Sequence, residues 1–221
     1  MDSGSLSVSK KAAAITMTFT NVLSFMALLS PFLLSFFMIM LSIVNNTIVK
    51  GLLFITGLVI VSFLTYLIKS ILKERQNPLA SPLCNILPFP FTSRGSIASE
   101  YVIFSSPITS SVLLGYISSY LIYPMYINNE VNYPLLMFLV SIFGTNSVIE
   151  MWNKCGSIGG VVLGGILGIT FGILYYGIIV ASGNKELAYF TEIKSSAEGC
   201  RKPSKQRFKC SVYENGQLLK S

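Results

Sequence analysis

Few residues in this chain have types and spacing suited to chemistry, and the absences narrow the field first. There is no histidine, which removes the commonest general base and the commonest metal ligand together. Cys84, Cys155, Cys200 and Cys210 form no CxxC pair, so neither a zinc site nor a redox dithiol is expected. Cys200 and Cys210 could close a small loop under oxidising conditions, but a cytosolic tail keeps them reduced, and free thiols are the expectation for all four cysteines. The loop sequence Phe91-Thr92-Ser93-Arg94 invites comparison with membrane lipid phosphatases, yet that chemistry requires histidines. Ion-coupled transporters carry Asp, Glu, Lys or Arg inside their spans, and none is expected inside the spans here. Glu150 and Lys154, four residues apart beside Trp152, are the nearest candidates, and their spacing predicts an interfacial ion pair. No catalytic residue, metal ligand or cofactor is therefore expected, and the chain reads as a non-enzyme.

The most specific local pattern is structural. Gly156, Gly160, Gly164, Gly168 and Gly172 recur every fourth residue, with Gly159 and Gly165 beside them. Residues four apart lie on nearly one helical face, so the series cuts a shallow groove into which another backbone can settle. The expected role is helix packing. A pore-lining or hinge role is the alternative, and it would make the protein a small oligomeric channel or transporter built on this last span.

The elements that would carry these residues follow from the distribution of charge. The chain has 221 residues, 52% hydrophobic and 11% charged, where a soluble domain carries roughly 25% charged residues. Long uncharged stretches run from 12 to 49, 51 to 68, 101 to 129, 131 to 149 and 155 to 184, and a crossing takes about 20 apolar residues. This predicts an all-α membrane protein with four transmembrane helices, or five if 133–149 also crosses. A polar N-terminus (1–11), a multi-span membrane domain (12–181) and a basic C-terminal tail (182–221) are the expected divisions. Pro78, Pro82, Pro88 and Pro90 make 76–100 an interfacial loop rather than a helix. The third span is expected over about 101–123, with Tyr116, Tyr120, Tyr123 and Tyr126 towards the headgroups.

Basic residues choose between four and five crossings. With five, seven Lys and Arg fall on one side and nine on the other. With four, 14 lie on the side of both termini against Lys50 and Lys154, and the positive-inside rule puts both termini in the cytosol. Four crossings are favoured on that ground, with 133–149 re-entrant or interfacial.

In the tail, eight Lys or Arg face four Glu after Gly183. The alternation around Arg207 to Tyr213, followed by Asn215-Gly216, predicts a small C-terminal β-hairpin. Such a pair is marginal alone and needs a partner to cover it. The basic run Arg201, Lys202, Lys205, Arg207 and Lys209 is the candidate partner-binding segment, and its sparse aromatics speak against nucleic acid.

The stretch Cys200-Arg-Lys-Pro-Ser-Lys-Gln-Arg-Phe-Lys-Cys210-Ser-Val-Tyr-Glu-Asn-Gly216, preceded by the glycine-rich span and by Tyr123-Pro-Met-Tyr, resembles conserved integral membrane proteins of large DNA viruses of algae and protists. The likeness covers about the C-terminal half and includes no catalytic motif. It implies a virion component in an internal lipid membrane derived from the host, a minor capsid protein linking that membrane to the capsid shell. The partners so implied are the bilayer, other membrane helices and capsid proteins.

Overall fold

The computed structural model describes residues 18–85, 93–97, 100–129, 131–183, 213–214 and 217–218. Five helices account for most of these: α1 (Phe19–Val44), α2 (Ile48–Leu72), α3 (Thr109–Ile127), α4 (Tyr133–Trp152) and α5 (Ile158–Ala181). Four of them, α1, α2, α4 and α5, are long and apolar enough to cross a membrane. Their outward faces carry exposed large apolar residues such as Phe36, Phe37, Leu52, Phe63, Val140, Ile166 and Ile178. So much apolar surface is stable only against lipid. The protein is an integral membrane protein, mostly helical.

Local chemistry explains where the helices begin. Thr18 caps α1 at the Asn21 amide, and Ser157 caps α5 at the Gly160 amide. Asn132 accepts from the Leu135 amide ahead of Pro134, a residue suited to a first helical turn. With this start α4 runs unbroken through Gly144, Thr145 and Asn146 to Trp152. The segment 133–149, expected to be re-entrant or interfacial, thus lies within a continuous 20-residue helix apolar enough to span. Ser147 donates back to the Phe143 carbonyl (2.8 Å), and Asn146 turns into the bundle, so the polar residues do not interrupt the helix.

The third helix differs from expectation in the opposite sense. Residues 100–104 belong to strand β2 (Glu100–Phe104), paired antiparallel with β1 (Ser93–Ile97), and α3 begins only at Thr109. Its serines and tyrosines make it the least lipid-like of the long helices, and α1, α2, α4 and α5 all pack around it. Tyr116, Ile117 and Tyr120 are completely buried. The tyrosines expected at the headgroups divide accordingly. Tyr116 and Tyr120 lie inside, where Tyr116 donates to the Phe54 carbonyl (3.0 Å), while Tyr126 is exposed. Rings of Phe54, Phe171, Tyr175 and Tyr176 pack around them at centroid distances near 6 Å.

Successive helices alternate in direction. Asn153, just past α4, donates to Ser24 near the start of α1 (3.3 Å). The Ile108 amide donates to the Gly160 carbonyl, joining the starts of α3 and α5 (3.1 Å). At the other end, Tyr123 of α3 meets Tyr176 of α5. The beginning of α1 and the end of α5 therefore lie at opposite ends of the bundle, whereas the expected topology put the two ends of the membrane domain together. Parity decides this: α2 ends at one end and α4 starts at the other, so α3 must make the passage between them. Tyr213–Glu214 (β3) and Gln217–Leu218 (β4) pair antiparallel.

Candidate functional site

The end of the bundle where α1, α3 and α5 begin is closed by the connection between α2 and α3. After Leu72 the chain turns at Lys73 in the left-handed conformation (φ 50°). It then runs alongside the end of β2, with Gln76 donating from its amide to the Ile103 carbonyl (2.9 Å) and Ser105 to the Glu74 carbonyl (3.0 Å). A 3-10 turn over Pro82–Asn85 brings Cys84 against the turn between α4 and α5, where it forms a disulfide with Cys155. The Ser81 amide donates to the Asn153 carbonyl (3.0 Å) and the Gln76 side chain to that of Cys155 (3.4 Å). The expectation of free thiols is corrected for this pair. The two cysteines are 71 residues apart in sequence with Cα atoms 5.3 Å apart, a proximity that folding creates and spacing cannot signal.

Beneath this cover lies a chamber of mixed polarity. Glu150, in the last turn of α4, is fully buried and accepts hydrogen bonds from Ser110 and from Ser111 (2.9 Å) in the first turn of α3. Lys69, in the last turn of α2, is 6% exposed and lies within the field of Glu150. Both line a cavity of about 80 Å³, together with Gln76 and Asn85 of the cover and an apolar wall from α1 that includes Phe25 and Leu28. Asn85 donates to the Gln76 side-chain carbonyl (2.9 Å). The ion pair expected between Glu150 and Lys154 is not formed: Glu150 turns inward to α3, while Lys154 sits in the α4–α5 turn with φ 55°. Charged side chains do enter the bundle, contrary to expectation, but within one turn of the helix ends. Their signal in the sequence is faint, because Lys69 and Glu150 each border an apolar stretch.

The glycine series lies on α5 where it faces α3. A Cβ on Gly164 would stand 2.8 Å from the Ile108 carbonyl oxygen, one on Gly168 would strike the Val112 carbonyl, and one on Gly172 would strike Ser119. Gly160 has room, with Ile108 and Ser106 at 3.4 Å. Gly156 is not on the helix. It sits in the preceding turn, where a Cβ would press on Ile108 Cδ1 at 2.6 Å. The seam is reciprocal: Gly115 of α3 would bring its Cβ to 2.8 Å from the Gly165 carbonyl oxygen. A lone glycine gave no sequence signal for that half of the contact. The basic residues Arg201, Lys202, Lys205, Arg207 and Lys209 lie outside the described residues.

Among the described residues no group of His, Cys, Asp and Glu is arranged to hold a metal ion. Comparison with family models, curated proteins and solved structures returns no match.

Proposed function

We propose that the protein is a structural membrane component, a rigid helical anchor that displays a stapled cap at one end of the bundle and a basic tail from the other. The observation that carries this reading is the filled axis. The position where a pore through a single chain would run is occupied by α3, with Tyr116, Ile117 and Tyr120 completely buried, and its seam with α5 leaves no space for a side chain at Gly164 or Gly168. A close-packed, cross-linked bundle suits holding a position in a membrane better than moving solute across it.

The resemblance of the Cys200–Gly216 region extends this reading to a virion. The bundle would sit in an internal membrane, and the basic run with its hairpin would dock on capsid protein. Crosslinking through Lys202, Lys205 and Lys209 in purified particles is expected to capture a capsid component. Recovery of the protein from infected membranes but not from particles would overturn the viral assignment while leaving the anchor intact.

A transporter is favoured by one observation, the buried Lys69 and Glu150, since ionisable residues within a membrane domain often mark transport pathways. Reconstitution decides between the two. Liposomes containing the protein are expected to remain tight to ions and small solutes, and flux abolished by Glu150→Gln would replace the anchor with a transporter.

A further inference from the structure

Helices α4 and α5 are joined by a short turn, yet both pack on α3 and hardly on each other. A strip of α3 is therefore left uncovered between them. Gly115, Ser118, Ile122 and Tyr126 lie along it, at spacings that keep them on one helical face. Val140 and Phe143 of α4 form one wall, and Ile169 and Ile173 of α5 form the other. The groove so formed has a volume of about 410 Å³ and an almost wholly apolar lining. Ser119, in its floor, donates its hydroxyl to the Tyr116 carbonyl (3.1 Å) and so calls for no polar occupant.

Depth and size decide what fits. The groove opens at Tyr123 and Tyr126 near the end of α3, where Tyr126 is exposed and amphipathic rings favour headgroup depth. It stops at Ile169 and at Phe143, whose ring would meet a Cβ on Gly165 at 3.0 Å. Phe143 and Ile169 stand near the midpoints of α4 and α5. The groove thus runs from one surface to the bilayer centre, the depth of a single leaflet. From Gly115 to Tyr126 it is about 16 Å long at 1.5 Å per residue, against about 15 Å for half of the hydrocarbon core. Dividing the volume by that length gives a mean section of about 25 Å². An α-helix about 10 Å across needs about 80 Å², so a helix of a second copy does not fit without prying α4 from α5. A single hydrocarbon chain does.

We infer that the groove holds one acyl chain of a phospholipid, in the leaflet on the side where α5 ends. The chain lies along α3 with its ester end between Tyr123 and Tyr126 and its methyl end against Phe143. Helix α3 is not among the four that are apolar enough to face lipid along their length, and the bound chain supplies the packing contacts that α4 and α5 leave unmade over it. Recognition is of length and section, so phospholipids with different headgroups are expected to serve equally. The site goes beyond the anchor reading and stands whether or not the protein conducts solute.

The test uses the full chain reconstituted in phospholipid bilayers and then extracted in mild detergent. Native mass spectrometry is expected to show one phospholipid retained per chain. Ile173→Trp fills the groove and should lose it, whereas Leu174→Trp, the same enlargement on the exposed side of α5, should keep it. Ser118→Leu raises the floor of the groove and should also lose the lipid, which covers the case in which Ile173→Trp does not fold. A phosphatidylcholine with a diazirine at the end of one chain locates the occupant in the bilayer, and its labelling is expected to concentrate at Phe143 and Ile169. Labelling spread evenly over outward residues such as Phe63 and Leu174 would mark ordinary surrounding lipid and overturn the site. So would an unaltered chain that retains no phospholipid, retention undiminished in both groove variants, or a sterol retained instead. A dimer that Ile173→Trp dissociates would also overturn it, by giving the groove to a second copy.

Discussion

Glu150 shows how one side chain organises an end of this bundle. A carboxylate removed from water is tolerated only with donors and a countercharge, and here Ser110 and Ser111 supply the first while Lys69 supplies the second. Glu150→Ala removes the acceptor of two serines and strands Lys69. The expected loss is about 3 kcal/mol, the lower end for breaking a buried pair, because Lys69 is not in direct contact. Chemical or thermal unfolding in detergent measures it. The paired change Glu150→Leu with Lys69→Met removes both charges and is expected to restore most of that stability. A double variant no more stable than Glu150→Ala would show that the serine contacts, not the charge balance, carry the effect.

At the level of helices, the seam between α3 and α5 is built from missing side chains. Gly164 and Gly168 approach the Ile108 and Val112 carbonyls, and Gly115 returns the contact from α3. Gly168→Leu would drive a side chain into backbone that has nowhere to move, and the bundle is expected not to assemble. By contrast, Gly144 and Gly177 have nothing within 4 Å of an added Cβ. Gly144→Ala and Gly177→Ala are expected to leave stability unchanged or to raise it by up to about 1 kcal/mol. Unfolding in a denaturing detergent series compares the three variants directly. The fourfold spacing of the series was readable from sequence, but its partner was not. The facing surface of α3 mixes Gly115 with serine, valine and tyrosine, which carry no periodic signature of their own.

Across the whole molecule, the disulfide and the alternation of helices together set an orientation. Disulfides persist on the oxidising side of a membrane, so the end bearing Cys84 and Cys155 is expected there, with the N-terminus, and the basic tail on the opposite, cytosolic side. Maleimide labelling of sealed vesicles should reach native Cys200 and a cysteine introduced at Ser7 from opposite faces. Labelling of both from one face would return the protein to an even number of crossings. Non-reducing mass mapping is expected to find Cys84 linked to Cys155. Replacing both by serine should cost up to about 4 kcal/mol by chain entropy, and less to the extent that the bilayer already restrains the unfolded chain.

By itself the sequence determined that the chain lives in a membrane, because its uncharged stretches and its apolar excess admit no aqueous fold. It also marked the glycine face, since four-residue spacing is a property of a single helix. Three outcomes needed the tertiary structure, each because it depends on residues distant in the chain. Tyr116 and Tyr120 face inward because Phe54 of α2 supplies an acceptor for Tyr116 and ring contacts for both, whereas local rules send tyrosine to the headgroups. Segment 133–149 lies in a helix long and apolar enough to cross because Asn132 and Pro134 start it and Ser147 bonds back to the Phe143 carbonyl, so the helix is not interrupted. Finally, Cys84 meets Cys155, and Lys69 comes within the field of Glu150, only when the helix ends align. The residues that most constrain the protein's chemistry were visible singly in the sequence, and packing decided which of them stand together.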